Sequence, residues 1–287
     1  MKKYKIKSFC KINLTLRVLK KLSNGYHKIQ SLITFCQIHD IIYVSKINGF
    51  KDKIKFYGKF KSNISKKSNT INKLLFLLRK KKYLNSQAFK IDIKKNIPHG
   101  SGLGGGSSNA ANLLNFLNTK MNLKLSNNSK VKIASKIGSD TPISLEKKNT
   151  LLTEKNNKIL RINRKFGLNI LIVYPNIICS TKKIYSNYKK ISYKKVKNGH
   201  KILLKKNLID FLKAETNDLE ETVIKFYPEV RKIINIIQSQ NGCHFSRITG
   251  SGSACVGIFS SIKHAILSQK VIRSKFPKYW SVVSKTI

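Results

Sequence analysis

Residues 98–111 read Pro98-His99-Gly100-Ser101-Gly102-Leu103-Gly104-Gly105-Gly106-Ser107-Ser108-Asn109-Ala110-Ala111, and the fold turns on how they are read. Five glycines fall within the seven residues 100–106. Backbone without a Cβ reaches left-handed conformations and lets another group come close. Upstream, Phe89-Lys90-Ile91-Asp92-Ile93-Lys94 alternates apolar and polar residues, as a half-buried strand does. Downstream, Ser107-Ser108-Asn109 is helix-capping chemistry, and 110–117 continues with helical apolar spacing. The order is strand, glycine loop, helix. N–H groups left open at a helix start, backed by the helix dipole, form a seat for an anion, commonly phosphate.

Two familiar phosphate loops are excluded. No lysine follows Gly106, so the stretch is not a P-loop. A dinucleotide fingerprint can be forced onto 100–105, but no acidic residue lies about twenty positions on to hold a ribose.

The chain has 287 residues, enough to bury a core and to form two domains. Its 58 Lys and Arg against 12 Asp and Glu leave a net charge of +46. A nucleic-acid binder is one reading of that surface. Against it, lysine is spread along strands and helices alike, and arginine, the residue for bidentate base readout, is scarce. The expected consequence is weak nonspecific binding to polyanions at low salt, without a specific nucleic-acid partner. The five cysteines (Cys10, Cys36, Cys179, Cys243, Cys255) are odd in number and scattered. They argue against a disulfide scaffold and a zinc site, and suit a reducing compartment. No apolar run reaches membrane-spanning length and no apolar signal core follows the basic N-terminus. A cytoplasmic protein without a membrane partner is expected.

Along the chain, 4–18 alternates as a strand and puts Lys11, Asn13 and Thr15 on one face. Such a face is either solvated or functional. Ser23-Asn24-Gly25-Tyr26-His27 carries an Asn-Gly turn signal. Strand-like runs follow at 31–35 and 40–44. The lysine-rich 49–69 suggests hairpins, and 72–82 and 129–137 suggest helices. Gly138-Ser139-Asp140-Thr141-Pro142 then places an aspartate where proline resists continued regular structure. An aspartate in such a turn is either a side-chain cap or a catalytic group. Later come a buried strand at 168–175, a basic, Asn-rich and mobile stretch through His200, and helices at 217–220 onward, 228–239 and 262–276. A second glycine-rich turn lies within 247–259, and 279–283 reads as a last strand.

Taken together, 98–111 resembles the ATP-binding loop of the GHMP kinases, the galactokinase, homoserine kinase and mevalonate kinase family. The 138–142 segment resembles that family's Gly-[Ala/Ser]-Asp-x-Pro catalytic segment. Thr249-Gly250-Ser251-Gly252-Ser253 resembles its second glycine-rich segment. Lys11-Ile12-Asn13-Leu14 and Gly25-Tyr26-His27 are similar, in order and spacing, to the branch that acts on a cytidine diphosphate-linked methylerythritol. The matches span residues 11–259. His99 stands where an apolar residue is usual in the family and Ser101 where glycine or alanine is.

The resemblance implies an α+β, two-domain GHMP kinase. Its N-terminal domain (1–152) would be like the ribosomal protein S5 second domain and carry the ATP loop and the catalytic pair. Its C-terminal domain (153–287) would be ferredoxin-like and lie on the substrate side. The implied activity is ATP-dependent phosphorylation of the substrate's 2-hydroxyl, in isoprenoid precursor synthesis. ATP would lie on Pro98, His99, Gly100, Ser101, Gly102, Leu103, Gly104, Gly105, Gly106, Ser107 and Ser108. Mg²⁺ would come with ATP, held mainly by phosphate oxygens, with the Ser108 hydroxyl as the protein candidate. Asp140 would be the general base, with Lys11 orienting it and adding positive charge near the developing alkoxide. Tyr26 and Tyr185 would sandwich the cytosine. His27 and Asn13 would hydrogen-bond the substrate, and Thr181 would lie near the cytidine. Alternatives are another GHMP kinase, of homoserine or mevalonate type, and a basic nucleic-acid-binding protein. Monomer and homodimer both remain open.

Overall fold

Asn69 decides where the first helix begins. Its side chain accepts from the N–H groups of Ile71 and Asn72, which frees the apolar run behind it to wind as a helix. The structure, a computed structural model, describes residues 2–23, 25–62, 64–65, 67–153, 159–189 and 208–287. Asn24 of the expected turn, and the basic stretch from 190 through His200, lie outside the described residues.

The chain begins with strands β1 (Tyr4–Asn13), β2 (Arg17–Lys21), β3 (His27–Ile47) and β4 (Lys53–Tyr57), helix α1 (Thr70–Lys80) and strand β5 (Ala88–Lys94). Helices α2 (Gly105–Lys120) and α3 (Asn127–Ile137), a 3-10 turn (Ile143–Leu145) and strands β6 (Asn149–Leu152), β7 (Ile159–Ile162) and β8 (Asn169–Tyr174) follow. Then come α4 (Thr181–Asn187), α5 (Leu208–Ala214), α6 (Glu220–Phe226), α7 (Glu229–Gln238), β9 (Cys243–Ile248), β10 (Cys255–Phe259), α8 (Ile262–Lys275) and β11 (Trp280–Lys285). No helix among the described residues is long and apolar enough to cross a membrane.

Two units form, and they are not the contiguous segments 1–152 and 153–287. The first comprises Met1–Lys11, Gln37–His99 and Gly104–Lys147; the second comprises Ile12–Cys36, Gly100–Leu103 and Lys148–Ile287. The two strand-like runs at 31–35 and 40–44 are one strand, β3, whose early residues belong to the second unit and whose later ones belong to the first.

In the first unit, β5 pairs antiparallel with the later part of β3, with Tyr43 opposite Asp92. On its other edge β5 takes β4 in parallel, with Ile54 opposite Ile91. This corrects the expected hairpins over 49–69: a parallel pair needs a long crossover, and α1 supplies it. Ile71, Leu74, Leu75 and Leu78 of α1 are buried with Ile42, Val44, Phe89, Ile91 and Ile93 of the strands and Leu113, Leu114 and Leu117 of α2. Burial is worth about 1.5–3 kcal/mol for each such side chain. Arg79 fastens α1 to Asp52 through two hydrogen bonds of 2.7 and 3.0 Å.

The second unit holds a four-stranded antiparallel sheet in the order β11-β8-β10-β9. With α7 before β9 and α8 after β10, the chain runs β-α-β-β-α-β, the ferredoxin-like arrangement. β8 is central, which is why its apolar run is continuous: Ile170, Leu171, Ile172 and Val173 are all fully buried. Val230, Ile233 and Ile237 of α7 and Ala265 and Ile272 of α8 pack in the same core as Leu171, Val173, Ile248 and Cys255. β2, the early part of β3, β6 and β7 complete this unit, with Leu32 opposite Leu151.

Candidate active site

Lys11 lies near the end of β1 and is buried, at 2% exposure. Its ammonium sits 3.2 Å from Oδ2 of Asp140, whose side chain is 38% exposed. Asp140 is therefore not the side-chain cap that its turn allowed. Its backbone carbonyl closes the turn, accepting from the N–H and hydroxyl of Ser144, both at 3.3 Å, while its carboxylate meets Lys11. The result is a carboxylate reachable from solvent and held by a cation that is not.

Gly104 keeps Lys11 in place. It has φ +67°, and a Cβ there would fall 2.7 Å from Cγ and 3.0 Å from Cε of Lys11. Only glycine combines that backbone with so close a neighbour.

Gly104 is also the N-cap of α2, and no side chain caps this helix. That corrects the expectation that Ser107, Ser108 and Asn109 do so. The helix begins earlier, at Gly105, which puts these three inside its first turns, where Ser108 and Asn109 bond elsewhere. Ser108 is buried and donates its hydroxyl to the carbonyl of Phe9 at 2.6 Å, tying α2 to β1. Asn109 donates to Asp40 at 2.9 Å. The first intrahelical bond runs from Ser108 N–H to the Gly104 carbonyl, so the N–H groups of 105–107 have no carbonyl within the helix to meet. With the helix dipole behind them, they suit an anion.

Below this helix start lies a buried network that the sequence did not suggest. Asp40 accepts from Asn96 N–H at 2.8 Å, Ile97 N–H at 2.9 Å, the Asn109 amide and the Lys95 ammonium. Asp40 opens the apolar run 40–44 and looks ordinary there; its partners lie 55 to 69 positions away. Burial, and then the charge of Lys95, hold the His99 imidazole below its ordinary pKa.

In the second unit, Gly100–Leu103 packs on the second glycine-rich turn. Ala254 N–H donates to the Ser101 carbonyl at 3.1 Å, and Cys179 N–H to the Gly100 carbonyl at 3.0 Å. Gly102, at φ +82°, faces the backbone of Thr249 and Gly252 so closely that any Cβ would overlap the Thr249 carbonyl. Asn13 belongs to the same cluster. Its N–H donates to the Thr249 hydroxyl at 2.8 Å and its side-chain amide to Ser31 at 2.7 Å. Thr15 accepts from Leu32 N–H at 3.0 Å. Lys11, Asn13 and Thr15 are thus all buried, which rules out a solvated face.

Thr181, the first residue of α4, shares a hydrogen bond of 2.9 Å with Ser251. The ring of Tyr185, on the same helix, meets His27 at 5.2 Å between centroids and 34° between planes. Tyr26 is 67% exposed. Tyr185 therefore packs on His27, while Tyr26 presents its ring to solvent. Burial and the nearby Lys21 charge lower the His27 pKa, favouring the neutral imidazole at neutral pH.

Among the described residues, no three His, Cys, Asp or Glu side chains gather as metal ligands. The Ser108 hydroxyl donates its hydrogen to Phe9, which leaves its oxygen lone pairs for another partner. A Mg²⁺ that arrives on the phosphates of a nucleotide needs no protein cage.

A buried lysine paired with an accessible carboxylate, beside an uncapped glycine-rich helix start, is the equipment of a phosphoryl-transfer enzyme, and the chain belongs to the GHMP kinase family. The profile described as "GHMP kinases N terminal domain" matches residues 69–147, and "GHMP kinases C terminal" matches residues 200–278. The chain is 39% identical, over 100% of both chains, to the 4-diphosphocytidyl-2-C-methyl-D-erythritol kinase of Pelagibacter ubique (strain HTCC1062). It is 32% identical to the enzyme of the same name from Wolbachia sp. subsp. Brugia malayi (strain TRS), over 98% of this chain and 97% of that one. Among solved structures, a 4-(cytidine 5'-diphospho)-2C-methyl-D-erythritol kinase aligns with a TM-score of 0.77 at 20% identity, over 98% of this chain and 99% of that one. A homoserine kinase from Cytophaga hutchinsonii aligns at 0.73 and 14% identity, over 100% and 95%. At such identities, these two structures speak for the fold.

Proposed function

We propose that the protein transfers the γ-phosphoryl group of ATP to the 2-hydroxyl of 4-(cytidine 5'-diphospho)-2-C-methyl-D-erythritol, giving ADP and the 2-phosphate. The observation that carries this reading is the Lys11–Asp140 pair at 3.2 Å, with Gly104, the residue opening α2, against the lysine stem. The names of the relatives supply the alcohol.

Asp140 takes the proton of the hydroxyl as its oxygen attacks the γ-phosphorus and the bond to ADP breaks. A positioned base of this kind is worth roughly 10²–10⁴ in rate. Lys11, buried and wedged against Gly104, holds the carboxylate still and adds positive charge beside the forming alkoxide. The 98–108 loop and the open N–H groups of α2 take the triphosphate. Mg²⁺ bound with ATP would offset charge on the phosphates. Tyr26 and Tyr185 flank the cytosine, with His27, Asn13 and Thr181 supplying polar contacts. Burial lowers the His27 pKa, and a neutral imidazole can donate from one ring nitrogen and accept at the other.

The test offers ATP with cytidylyl-methylerythritol, homoserine and mevalonate side by side and follows ADP release. Turnover with the first alone is expected. Turnover with either of the others and none with the first overturns the substrate assignment, and no ATP consumption with any of them overturns the kinase reading.

A further inference from the structure

Asp40 plays no part in the reaction just described, yet it is fully buried and charged. One of its oxygens accepts from Asn96 N–H at 2.8 Å and Ile97 N–H at 2.9 Å. The other accepts from the Asn109 amide at 2.9 Å and from the Lys95 ammonium. One carboxylate thus ties together β3, the segment that runs into Pro98, and the second turn of α2. Ile97 and Asn109 stand just before and just after the glycine loop in the chain. The side-chain oxygen of Asn109, Oδ1, is buried with no hydrogen-bond partner among the described residues. The amide is held by Asp40, not by a network of its own.

Lys95 adds a second reason to look here. Its ammonium lies 3.3 Å from where a Cβ on Gly105 would sit, directly under the first residue of α2. The positive end of a helix repels a cation placed there. A buried ammonium persists in such a place only with an anion against it, and Asp40 is that anion. Stability alone is a weak reason to keep the pair, since apolar residues of the same volume generally hold a core as well or better. A salt bridge adds what they lack: directed hydrogen bonds to two backbone N–H groups and one amide.

We propose that Asp40 is a positioning residue for nucleotide binding. Through the 95–97 segment and Asn109 it fixes both flanks of the glycine loop, so that the N–H groups of 105–107 are aimed before the phosphates arrive. Binding then bears no cost for ordering that segment. The proposal rests on the ATP reading above.

The test compares the full chain with two double variants, by steady-state kinetics and by ADP-binding calorimetry. Asp40→Leu/Lys95→Met removes both charges and every acceptor. Asp40→Asn/Lys95→Met removes the charges but keeps an oxygen for Asn96 and Ile97. In the Leu/Met variant the KM for ATP and the Kd for ADP rise about tenfold, and in the Asn/Met variant they return to within about threefold of the parent. The KM for the alcohol stays unchanged in both. Equal ADP affinity in all three proteins, or parallel rises in both KM values, overturns the proposal. If the Leu/Met variant does not fold, Asn109→Ala decides: a rise of about threefold in ADP Kd supports the proposal and no change refutes it. A parent chain that binds no ADP sinks both this proposal and the ATP reading. A parent and a Leu/Met variant that bind it equally sink this proposal alone.

Discussion

Replacing Gly104 by alanine tests whether the placement of Lys11 matters to turnover or only to stability. Two costs arise, and they can be separated. The first is backbone: φ +67° lies in the left-handed region, where a residue with a Cβ loses about 1–2 kcal/mol. The second is contact. The new methyl would lie 2.7 Å from Lys11 Cγ, against an ordinary carbon–carbon separation of about 3.5–4.0 Å. The lysine stem must yield by roughly 1 Å, and it is buried, so the shift reaches the ammonium and opens the 3.2 Å approach to Asp140. Misplacement of about 1 Å in a reacting constellation can cost on the order of 10²-fold in rate. Gly167 is the control, with φ +61° and nothing within 4 Å of where a methyl would stand. Gly104→Ala and Gly167→Ala should both lower Tm by about 2–8 °C in a thermal scan. Only Gly104→Ala should lose kcat, by about 30- to 100-fold in a coupled ADP-release assay. A Gly104→Ala enzyme whose Tm falls with that of Gly167→Ala, but whose kcat stays within about threefold of the parent, would refute the reasoning.

Other expectations follow from the same geometry. Asp140→Asn should cut kcat by about 10²–10⁴ and leave the Kd for ADP unaltered, and near-normal turnover would remove Asp140 from the mechanism. Tyr185→Leu should raise the KM for the cytidine substrate by about three- to tenfold without touching that for ATP, as the loss of one aromatic contact predicts. Arg247 is buried, donates to the carbonyls of Leu14 at 3.1 Å and Leu212 at 2.8 Å, and has its pKa lowered to about 10 by burial. Arg247→Met should therefore cost roughly 3 kcal/mol by urea denaturation, and a loss below about 1 kcal/mol would contradict the burial argument. Burial also pushes the Cys179 thiol up to about 11, from 9.0 for a free thiol. Between those values the folded state binds the proton more tightly than the unfolded one, so the contribution to stability is whole below pH 9 and falls as pH rises toward 11. From pH 8.5 to 10.5 the parent should lose on the order of 1–2 kcal/mol more than Cys179→Ala.

Signals carried by near neighbours are the legible ones. The strand-loop-helix order at 89–117 and the continuous apolar run of β8 follow from pattern and glycine content, and both elements form. Where several partners compete for the same residues, pattern misleads. Ser107, Ser108 and Asn109 look like caps, but the latter two are claimed by Phe9 and Asp40, and the cap is Gly104, three residues before Ser107. β3 reads as two runs because Gln37-Ile38-His39 interrupts the apolar pattern, although the backbone continues unbroken from His27 to Ile47. The pairing of β4 is hidden because lysine-rich composition says nothing about whether a neighbour runs parallel. Lys11 and Asp140 stand 129 positions apart, and no spacing rule joins them; the resemblance to a family does. Asp40, Lys95 and Asn109 show the limit plainly, since each looks ordinary in its own local sequence.

The interleaving of the two units also bears on how the chain is made. Every segment of the first unit has been synthesised once Lys147 emerges, whereas the second still awaits Lys148–Ile287. At about 5–20 residues per second, those 140 residues take the ribosome roughly 7–28 s. Throughout that interval Leu14, Leu16, Val18, Leu32, Ile33 and Phe35, all buried in the finished protein, belong to a unit whose largest segment is still incomplete. A nascent chain stalled in this window would offer a sticky apolar segment to chaperones, and slow translation past codon 147 should raise its tendency to aggregate.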